Sequence, residues 1–584
     1  MKRNVLLLLL LSCLVSGCKK SQSDTSDDIT INVDHLVYTI SMQDGIATVV
    51  GFDSIQNHII IPKHITYKEK NYRVTTIGTR AFYSCSWLES LSLPENLKVI
   101  GVLSFAGCAN LGSVQLPESI VRVEESAFSS CFSLKLESLP SSLVSIGDYA
   151  FSSCRNIEKV IIPNNVTSIG KYAFSHCEKL LKVDLPNTVE YVGDYAFDDC
   201  EMLETPIYNK NIFVKLPVSF RGNYIIPETI STITGGAFNG CENLLSVSLS
   251  DNIININPTA SYFMHCSSLA EQPIYNKNIF FYLPRQYEGS YIVQNGIKII
   301  AREAFSGCKH LKSVILPATL NTIGMYAFAY SESLDSISFP NSITQIMEGA
   351  FSSCTGIKYP IFNKHIFAKL PTDYVGEFVV PDGIETIGPG AFAGCQNLTA
   401  VNLPSGVIHI CSQAFSNASK IEHIKLPDNL KYIDGWAFNE CVALSYIKIP
   451  KSVKKISYCS FRGCTNLQKV LLPDNMTSIE DDAFKGCKNI HSIKLPDQLK
   501  HIGRWAFSEC TNLEKINIPM NVDTIDYGAF KDCSNLREVY FPKGIKKIAR
   551  ESFVGCEKLY YVEVPKTADV DSEAFPTHCG VNCR

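Results

Sequence analysis

The sequence of 584 residues has no strong excess of charge of either sign. It contains 53 lysine and arginine residues and 57 aspartate and glutamate residues, so its formal net charge is −4. Proteins that bind nucleic acid through a broad electrostatic field usually carry a marked positive excess. The charge balance therefore gives no support to a nucleic-acid partner, and we expect none.

The sequence also lacks the short motifs of common enzyme and metal sites. It has no G-x-S-x-G, no H-E-x-x-H and no phosphate-binding P-loop. No C-x-x-C pair occurs, and the 12 histidines are scattered without zinc spacing. We therefore expect a protein that is not an enzyme, with no catalytic residue, no metal site and no cofactor.

No apolar run is long enough to cross a membrane as a helix, which takes about 18 residues or more. Residues 1–17 are instead typical of a bacterial lipoprotein signal peptide. Lys2 and Arg3 are its basic start, an apolar stretch follows, and Gly17-Cys18 ends a segment that resembles a lipobox. This predicts cleavage after Gly17 and acylation of Cys18, with an ordinary signal peptide as the alternative.

Residues 18–28 are rich in Ser and Asp, and they predict a flexible tether. The expected location is the bacterial outer membrane, with the lipid as the only membrane attachment and the chain exposed at the cell surface. A periplasmic orientation stays open.

What the sequence has in abundance is one repeated phrase. I-G-x-x-A-F-x-x-C-x-x-L-x-x-V-x-L-P recurs from residue 77 almost to the C-terminus, usually every 23 residues. A fixed period of this length is typical of a solenoid, in which each unit buries its apolar face against its neighbours. The phenylalanines of the phrase are Phe82, Phe105, Phe128, Phe151, Phe174, Phe197, Phe238, Phe263, Phe305, Phe328, Phe351, Phe392, Phe415, Phe438, Phe461, Phe484, Phe507, Phe530, Phe553 and, less clearly, Phe575.

The phrase predicts a mainly β repeat solenoid of about 20 coils. Leu91 and Leu93 are two residues apart, so residues 90–93 predict one short strand per coil with one face buried, ended by Pro94. The A-F-x-x-C segment predicts a 3₁₀ or short helical turn on the opposite side.

The domain organisation follows from the repeat. Residues 29–76 predict an N-terminal β cap, because residues 29–33 alternate apolar and polar side chains, and residues 77–565 carry the repeats. Three inserts of about 18 residues, at about 206–226, 273–293 and 360–380, predict extra coils without the A-F-x-x-C turn. Residues 566–584 predict a C-terminal cap.

The repeated phrase, the inserts that begin P-I-Y-N-K-N-I-F or P-I-F-N-K-H-I-F, and the lead-in I-P-x-x-I-T-Y at residues 61–67 resemble the BspA-like leucine-rich repeat family of bacterial surface proteins. Members are surface-anchored or secreted, and some are adhesins. The resemblance implies a leucine-rich-repeat-like stack with a non-enzymatic binding surface, and it brings no catalytic residue.

Most of the 23 cysteines share one place, three residues after the repeat phenylalanine. Ser331 and Ala418 fill the same slot in other coils, which indicates a small buried side chain and not a disulfide. Cys579 and Cys583 lie outside this pattern, and we expect a possible disulfide between them that would staple the C-terminal cap. Cys411 and Cys459 have no explanation in the pattern.

The outward strand positions change along the chain. Early coils carry small neutral residues such as Ser90, Ser92, Ser113 and Gln115. The late coils carry the residues of a candidate ligand-binding face, which are His423, Lys425, Tyr446, Lys448, Lys469, Lys494, Lys515, Tyr540 and Tyr561. They predict a basic groove for an acidic protein segment or a charged glycan, and a solvated polar face is the alternative.

The function that these patterns favour is a cell-surface lipoprotein that acts as an adhesin or binds a host protein. A glycan-binding lipoprotein that serves polysaccharide capture is the alternative. The partner is an extracellular protein or glycan ligand, and we expect the chain to be a monomer.

Overall fold

The computed structural model of the chain describes residues 28–136, 138–269 and 272–584. The signal peptide, Cys18 and the tether up to residue 27 lie outside the described residues. The chain divides into two compact units, the first ending at Asn209 and the second beginning at Lys210. Each unit is a β-solenoid, and this confirms the predicted fold class. In the part of the chain that the structure describes, no helix has the length and apolar character needed to cross a membrane.

Six strands precede the repeats of the first unit. They are β1 (Asp28–Val33), β2 (Leu36–Ser41), β3 (Ile46–Phe52), β4 (His58–Ile60), β5 (His64–Tyr67) and β6 (Lys70–Ile77). β1, β2 and β3 form an antiparallel meander, and β3 then pairs in parallel with β6. Alternate residues of β2 are buried, which agrees with the alternating pattern of its sequence.

The remaining strands of the first unit are short and belong to the coils. They are β7 (Ser90–Ser92), β8 (Val99–Ile100), β9 (Ser113–Val114), β10 (Arg122–Val123), β11 (Ser145–Ile146), β12 (Lys159–Ile161), β13 (Ser168–Ile169), β14 (Lys182–Asp184), β15 (Tyr191–Val192) and β16 (Ile207–Tyr208). β6 pairs in parallel with β8, so the N-terminal strands cover the first coil.

The second unit begins with strands that include those of the inserts. They are β17 (Ile212–Lys215), β18 (Gly222–Ile225), β19 (Thr232–Ile233), β20 (Leu244–Ser248), β21 (Ile274–Tyr275), β22 (Ile279–Tyr282), β23 (Gly289–Ile292), β24 (Ile299–Ile300), β25 (Leu311–Ile315), β26 (Thr322–Ile323), β27 (Ser336–Ser338), β28 (Gln345–Ile346), β29 (Ile361–Phe362), β30 (Ile366–Lys369), β31 (Gly376–Val379), β32 (Thr386–Ile387) and β33 (Leu398–Asn402).

The late coils and the C-terminus complete the second unit. Their strands are β34 (His409–Ile410), β35 (His423–Ile424), β36 (Tyr432–Ile433), β37 (Tyr446–Lys448), β38 (Lys455–Ile456), β39 (Lys469–Leu471), β40 (Ser478–Ile479), β41 (His501–Ile502), β42 (Lys515–Asn517), β43 (Thr524–Ile525), β44 (Glu538–Tyr540), β45 (Lys547–Ile548), β46 (Tyr561–Val564), β47 (Asp569–Val570) and β48 (Gly580–Cys583).

A typical coil has two short strands where the sequence predicted one. In the coil of Phe82, β7 pairs in parallel with β9, and β8 pairs in parallel with β10. Leu91 of β7 and Ile100 of β8 are both buried. The second strand was missed because two residues are too few to show an alternating pattern.

The A-F-x-x-C segment is not a helical turn, and this part of the fold prediction was wrong. The residues two before and two after the phenylalanine have left-handed backbone, such as Arg80 (φ 57°) and Ser84 (φ 58°). The Cys85 N–H donates to Phe82 O within the coil (3.3 Å), but the Phe82 N–H donates to Ser104 O of the next coil (2.7 Å). Bonds within a coil therefore alternate with bonds between coils, and no helix forms.

The buried phenylalanines stack face to face along each unit. In the first unit the ring centroids of Phe82 and Phe105 are 5.2 Å apart and their planes differ by 3°. In the second unit the inserts supply rings as well, because Phe280 stacks on Phe305 at 4.7 Å and Phe367 on Phe392 at 4.8 Å. Each of these two inserts is thus a coil whose aromatic ring comes from its N-K-x-I-F segment.

These inserts also begin with a feature that the sequence pattern did not indicate. β21 pairs antiparallel with β22, and β29 pairs antiparallel with β30. In the second hairpin the buried Asn363 accepts hydrogen bonds from the Ile366 N–H (2.8 Å) and the His365 N–H (2.9 Å). Its amide donates to Ile343 O at 2.9 Å. The asparagine therefore joins the hairpin turn to the preceding coil.

Candidate functional site

The candidate face is formed by the outward residues of the late coils, from β35 to β46, which we call the C-terminal face. Side chains alternate along each strand, so Ile447 is buried while Lys448 on one side of it is exposed. The strands pair in register, and His423 therefore stands beside Tyr446 and Tyr446 beside Lys469. These three predicted site residues lie together in one column.

The five predicted lysines are distributed over two columns of this face. Lys469 and Lys515 are in the first column, because Lys469 pairs with Tyr446 and Lys515 with Ser492 and Glu538. Lys448 is in the second column, beside Leu471. The same 23-residue register places Lys425 and Lys494 in the second column. Apolar and acidic neighbours therefore stand between the lysines of the predicted basic groove.

One of these lysines is already paired. Lys515 Nζ lies 3.1 Å from Glu538 Oε2 and 4.8 Å from the centre of the Tyr540 ring. The Tyr540 hydroxyl donates to the same carboxylate at 2.8 Å. Hydrogen bonds from Tyr540 and Lys515 lower the pKa of Glu538, and the bond to Glu538 raises the pKa of Lys515. This end of the lysine series is a closed cluster and offers little free charge.

Lysines also occupy the first-column strand position in the first unit. The predicted contrast between small neutral early coils and basic late coils did not include them. Lys159 of β12 pairs with Lys182 of β14. Lys182 is neutralised by Asp184 at 2.9 Å. Basic side chains are thus not confined to the late coils.

A groove of about 1260 Å³ opens at the C-terminal end of the C-terminal face. Tyr540, Tyr560 and Tyr561 line it, with exposed fractions of 51 %, 68 % and 53 %. Its charged lining consists of Arg537, Lys543, Lys558, Lys566 and Arg584, with Glu538 and Glu563 as the acidic residues. Of the predicted site residues, the groove gathers only Tyr540 and Tyr561.

The expected disulfide between Cys579 and Cys583 is absent, because both are free thiols. Cys579 directly precedes β48, and Cys583 ends it. An extended strand advances about 3.3 Å per residue, so the two Cα atoms are roughly 13 Å apart, far beyond disulfide range. β48 is held instead by parallel pairing with β46 and by the ion pair of Arg584 with Glu563.

The repeated cysteines make a contact that the sequence did not reveal. The Cys464 thiol donates to Phe438 O of the preceding coil at 3.2 Å, and the Ser331 hydroxyl makes the equivalent bond to Phe305 O at 2.8 Å. Burial raises the pKa of the slot thiols, to about 12 for Cys108, so they stay protonated and are not nucleophiles. The same bond is made by Cys108, Cys131, Cys154, Cys177, Cys200, Cys266, Cys354, Cys441, Cys487, Cys510, Cys533 and Cys556.

A second set of residues lies on the other strand column and was missed by the sequence patterns. His409, Cys411 and Asp434 are half-buried, and one donor atom of each lies within 4.8 Å of the others. The hydrogen bond to Asp434 and then the bond to Cys411 raise the pKa of His409 to about 10. The signal that could have found the cluster is the 23-residue repeat period, which separates Cys411 from Asp434.

The match to a protein-family model decides the family. The model of the BspA type leucine rich repeat region matches residues 75–204, 209–283, 276–370, 361–472 and 454–581, which is most of the chain. This chain belongs to the BspA type leucine rich repeat family. The resemblance in the repeated phrase is thereby confirmed.

Several solved structures are similar to this BspA type protein. A leucine rich cell surface protein of Faecalibacterium prausnitzii is 23 % identical, with 77 % of this chain and 96 % of that chain covered and a TM-score of 0.37. A leucine-rich repeat protein of Bacteroides ovatus is 22 % identical, with 95 % and 99 % covered and a TM-score of 0.26. The leucine rich repeat protein of T. pallidum is 24 % identical, with 41 % and 91 % covered and a TM-score of 0.25. A comparison with curated proteins gives no match.

Proposed function

We propose that this BspA type repeat protein is a non-enzymatic surface protein that binds an extracellular protein ligand. The groove at the C-terminal end of the C-terminal face is the centre of that binding surface. The observation that carries the proposal is the cluster of three exposed tyrosines, Tyr540, Tyr560 and Tyr561, in one groove. Tyrosine gives a large contact area at low cost in conformational entropy, and it is enriched at binding hot spots.

The charges around the tyrosines favour an acidic ligand. Both carboxylates of the groove have a cationic partner. Glu538 pairs with Lys515, and Glu563 pairs with Arg584. Arg537, Lys543 and Lys566 form no ion pair with a described residue. A negatively charged segment would find unpaired cations beside aromatic surface, and complementary charges speed association and select partners.

A charged glycan is the second candidate for the same groove. The exposed tyrosine rings support it, because a sugar ring packs on the face of an aromatic side chain. The mixture of both charge signs around the rings favours the protein ligand, since interfaces between proteins combine aromatic anchors with a charged rim.

The proposal is tested by measuring binding of the purified chain to extracellular-matrix proteins and to a glycan array. We expect binding to a protein ligand, and we expect Arg537→Glu/Lys543→Glu/Lys566→Glu to weaken it by roughly 10-fold or more, about 1.4 kcal/mol. Binding of the unchanged chain should also fall with salt, because exposed charges are screened.

Two control variants separate the groove from the rest of the surface. Lys159→Glu changes an exposed lysine in the same strand position of the first unit and should leave binding unchanged. The five-residue variant with Glu at 425, 448, 469, 494 and 515 should weaken binding less than the groove variant, because its lysines are divided and Lys515 is paired. Binding of the groove variant equal to the unchanged chain at low salt would refute the site.

A further inference from the structure

His409, Cys411 and Asp434 meet through the register of two adjacent coils. His409 and Cys411 are two residues apart along an extended segment, so their side chains leave the same side of the strand, and Ile410 between them is buried. Ile410 pairs with Ile433, and the residues that follow, Cys411 and Asp434, are therefore neighbours. His409 Nε2 lies 2.8 Å from Asp434 Oδ2.

A matched coil in the same unit shows what is special about this cluster. His501 and Asp526 occupy the positions of His409 and Asp434 and form a looser contact, with Nδ1 3.8 Å from Oδ2. The residue that corresponds to Cys411 is Gly503 there, and Gly388 in the preceding coil. A histidine–aspartate ion pair alone accounts for two of the three residues and leaves the cysteine unexplained.

We propose that His409, Cys411 and Asp434 bind one transition metal ion of the zinc class. Imidazole nitrogen, thiolate sulfur and carboxylate oxygen are the three donor types that Zn²⁺ takes from proteins. Mg²⁺ and Ca²⁺ prefer ligand sets made of oxygen alone, so this mixed set does not suit them. The donors lie within 4.8 Å of one another, so small side-chain movements bring them to one ion.

Metal binding replaces protons with the ion. The three side chains hold the ion as neutral His, thiolate and carboxylate, and each proton that the ion displaces passes to solvent. Three protein ligands leave a fourth tetrahedral position for water or for a side chain of a partner. The site lies on the strand column of β34 and β36, so it is separate from the C-terminal face.

The test uses Co²⁺ as a spectroscopic probe of the full chain. We expect one Co²⁺ to bind with the charge-transfer absorption of a cobalt–thiolate bond, and Zn²⁺ to displace it. All cobalt titrations are made with Cys583→Ser as the parent protein, because Cys583 is an exposed free thiol that could bind cobalt by itself. Loss of an outer-shell partner costs roughly 10- to 100-fold in metal affinity, so loss of a ligand should cost more than that.

Three variants locate the ion. Cys411→Gly restores the residue type of Gly388 and Gly503 at this position, so the coil should fold, and it should abolish the charge-transfer band. Asp434→Asn should weaken Zn²⁺ binding, whereas His501→Gln should leave it unchanged. Zn²⁺ should raise the melting temperature of the unchanged chain and not that of Cys411→Gly. Absence of the band in the unchanged chain, or its persistence in Cys411→Gly, would overturn the proposal.

Discussion

Single residues of the core combine packing with hydrogen bonding. The repeat slot behind each phenylalanine was predicted to need only a small volume, yet its thiol also donates to a carbonyl of the preceding coil. Ser331 keeps that donor, and Ala418 is the variant without one. A buried carbonyl that loses a second donor keeps its bond to the backbone N–H, so the loss should be moderate.

The first prediction ranks substitutions of Cys464. Cys464→Ala should cost about 1–2 kcal/mol, from a small cavity and the lost hydrogen bond. Cys464→Ser should cost less, because the hydroxyl can make the bond that Ser331 makes. Cys464→Leu should cost the most, since overpacking adds roughly 1–3 kcal/mol. Urea unfolding midpoints give the ranking, and a serine variant less stable than alanine would refute the role of the donor.

The second prediction concerns the buried amine of Lys369, which donates to Gly390 O at 3.1 Å and Ala393 O at 3.2 Å. Burial lowers the pKa of Lys369. The unfolded chain therefore holds its proton to higher pH than the folded chain, so the stability of the folded chain rises as pH increases through the interval between the two pKa values.

Lys369→Met removes this titration. We expect the difference in melting temperature, unchanged chain minus variant, to become more favourable to the unchanged chain from neutral pH to the alkaline pH at which lysine deprotonates. Contributions of all other groups cancel in the difference. Parallel curves of melting temperature against pH for the two proteins would contradict a lowered pKa.

At the scale of elements, the turn around most of the repeat phenylalanines depends on two left-handed residues. Such a conformation costs a non-glycine residue roughly 1–2 kcal/mol, and several coils place glycine there, for example Gly463 (φ 71°) and Gly486 (φ 73°). Other coils have a non-glycine residue in this strained backbone, such as Ser353 (φ 55°). The hydrogen bonds to the next coil outweigh that cost.

The third prediction uses two adjacent serines as a matched pair. Ser353→Gly should stabilise the second unit by about 0.5–1 kcal/mol, because glycine adopts positive φ without the steric penalty. Ser352, the preceding residue, is not left-handed, so Ser352→Gly should destabilise by a similar amount. Differential scanning calorimetry of both variants decides the point, and equal effects of the two changes would argue against the left-handed turn.

At the scale of the whole molecule, repetition commits most residues to stacking and leaves function to the outward positions. The tyrosine groove and the histidine–cysteine–aspartate cluster both use side chains that the repeat does not specify. The anchor predicted at Cys18 would hold these surfaces at a membrane.

The fourth prediction tests that anchor. Cys18→Ala removes the residue that would be acylated, and globomycin blocks the signal peptidase that processes lipoproteins. Either treatment should move the chain from the membrane fraction to a precursor or soluble form, because the lipid is the only expected attachment. Cys411→Ala, which changes a different cysteine, should fractionate as the unchanged chain does. Unaltered fractionation of Cys18→Ala would refute the lipoprotein assignment.

The sequence by itself determined the solenoid, its family and the buried phenylalanine and cysteine ladders. Local periodicity is sufficient for this, because each coil of a solenoid contacts only its neighbours and repeats the same contacts. The contacts of Lys515 with Glu538 and Tyr540, the separation of Cys579 from Cys583, and the hairpins of the later inserts were beyond it.

Only the tertiary structure decided how closely the outward residues of neighbouring coils approach one another. Lys448 stands beside Leu471, and Cys411 beside Asp434, because parallel strands pair residues 23 positions apart. The left-handed turns were hidden for a related reason: serine, tyrosine and glutamate occupy them as well as glycine, since bonds to the next coil impose the backbone conformation. The residue type at a position indicates whether the side chain is buried. The strand register and the contacts between coils determine which side chains lie next to it.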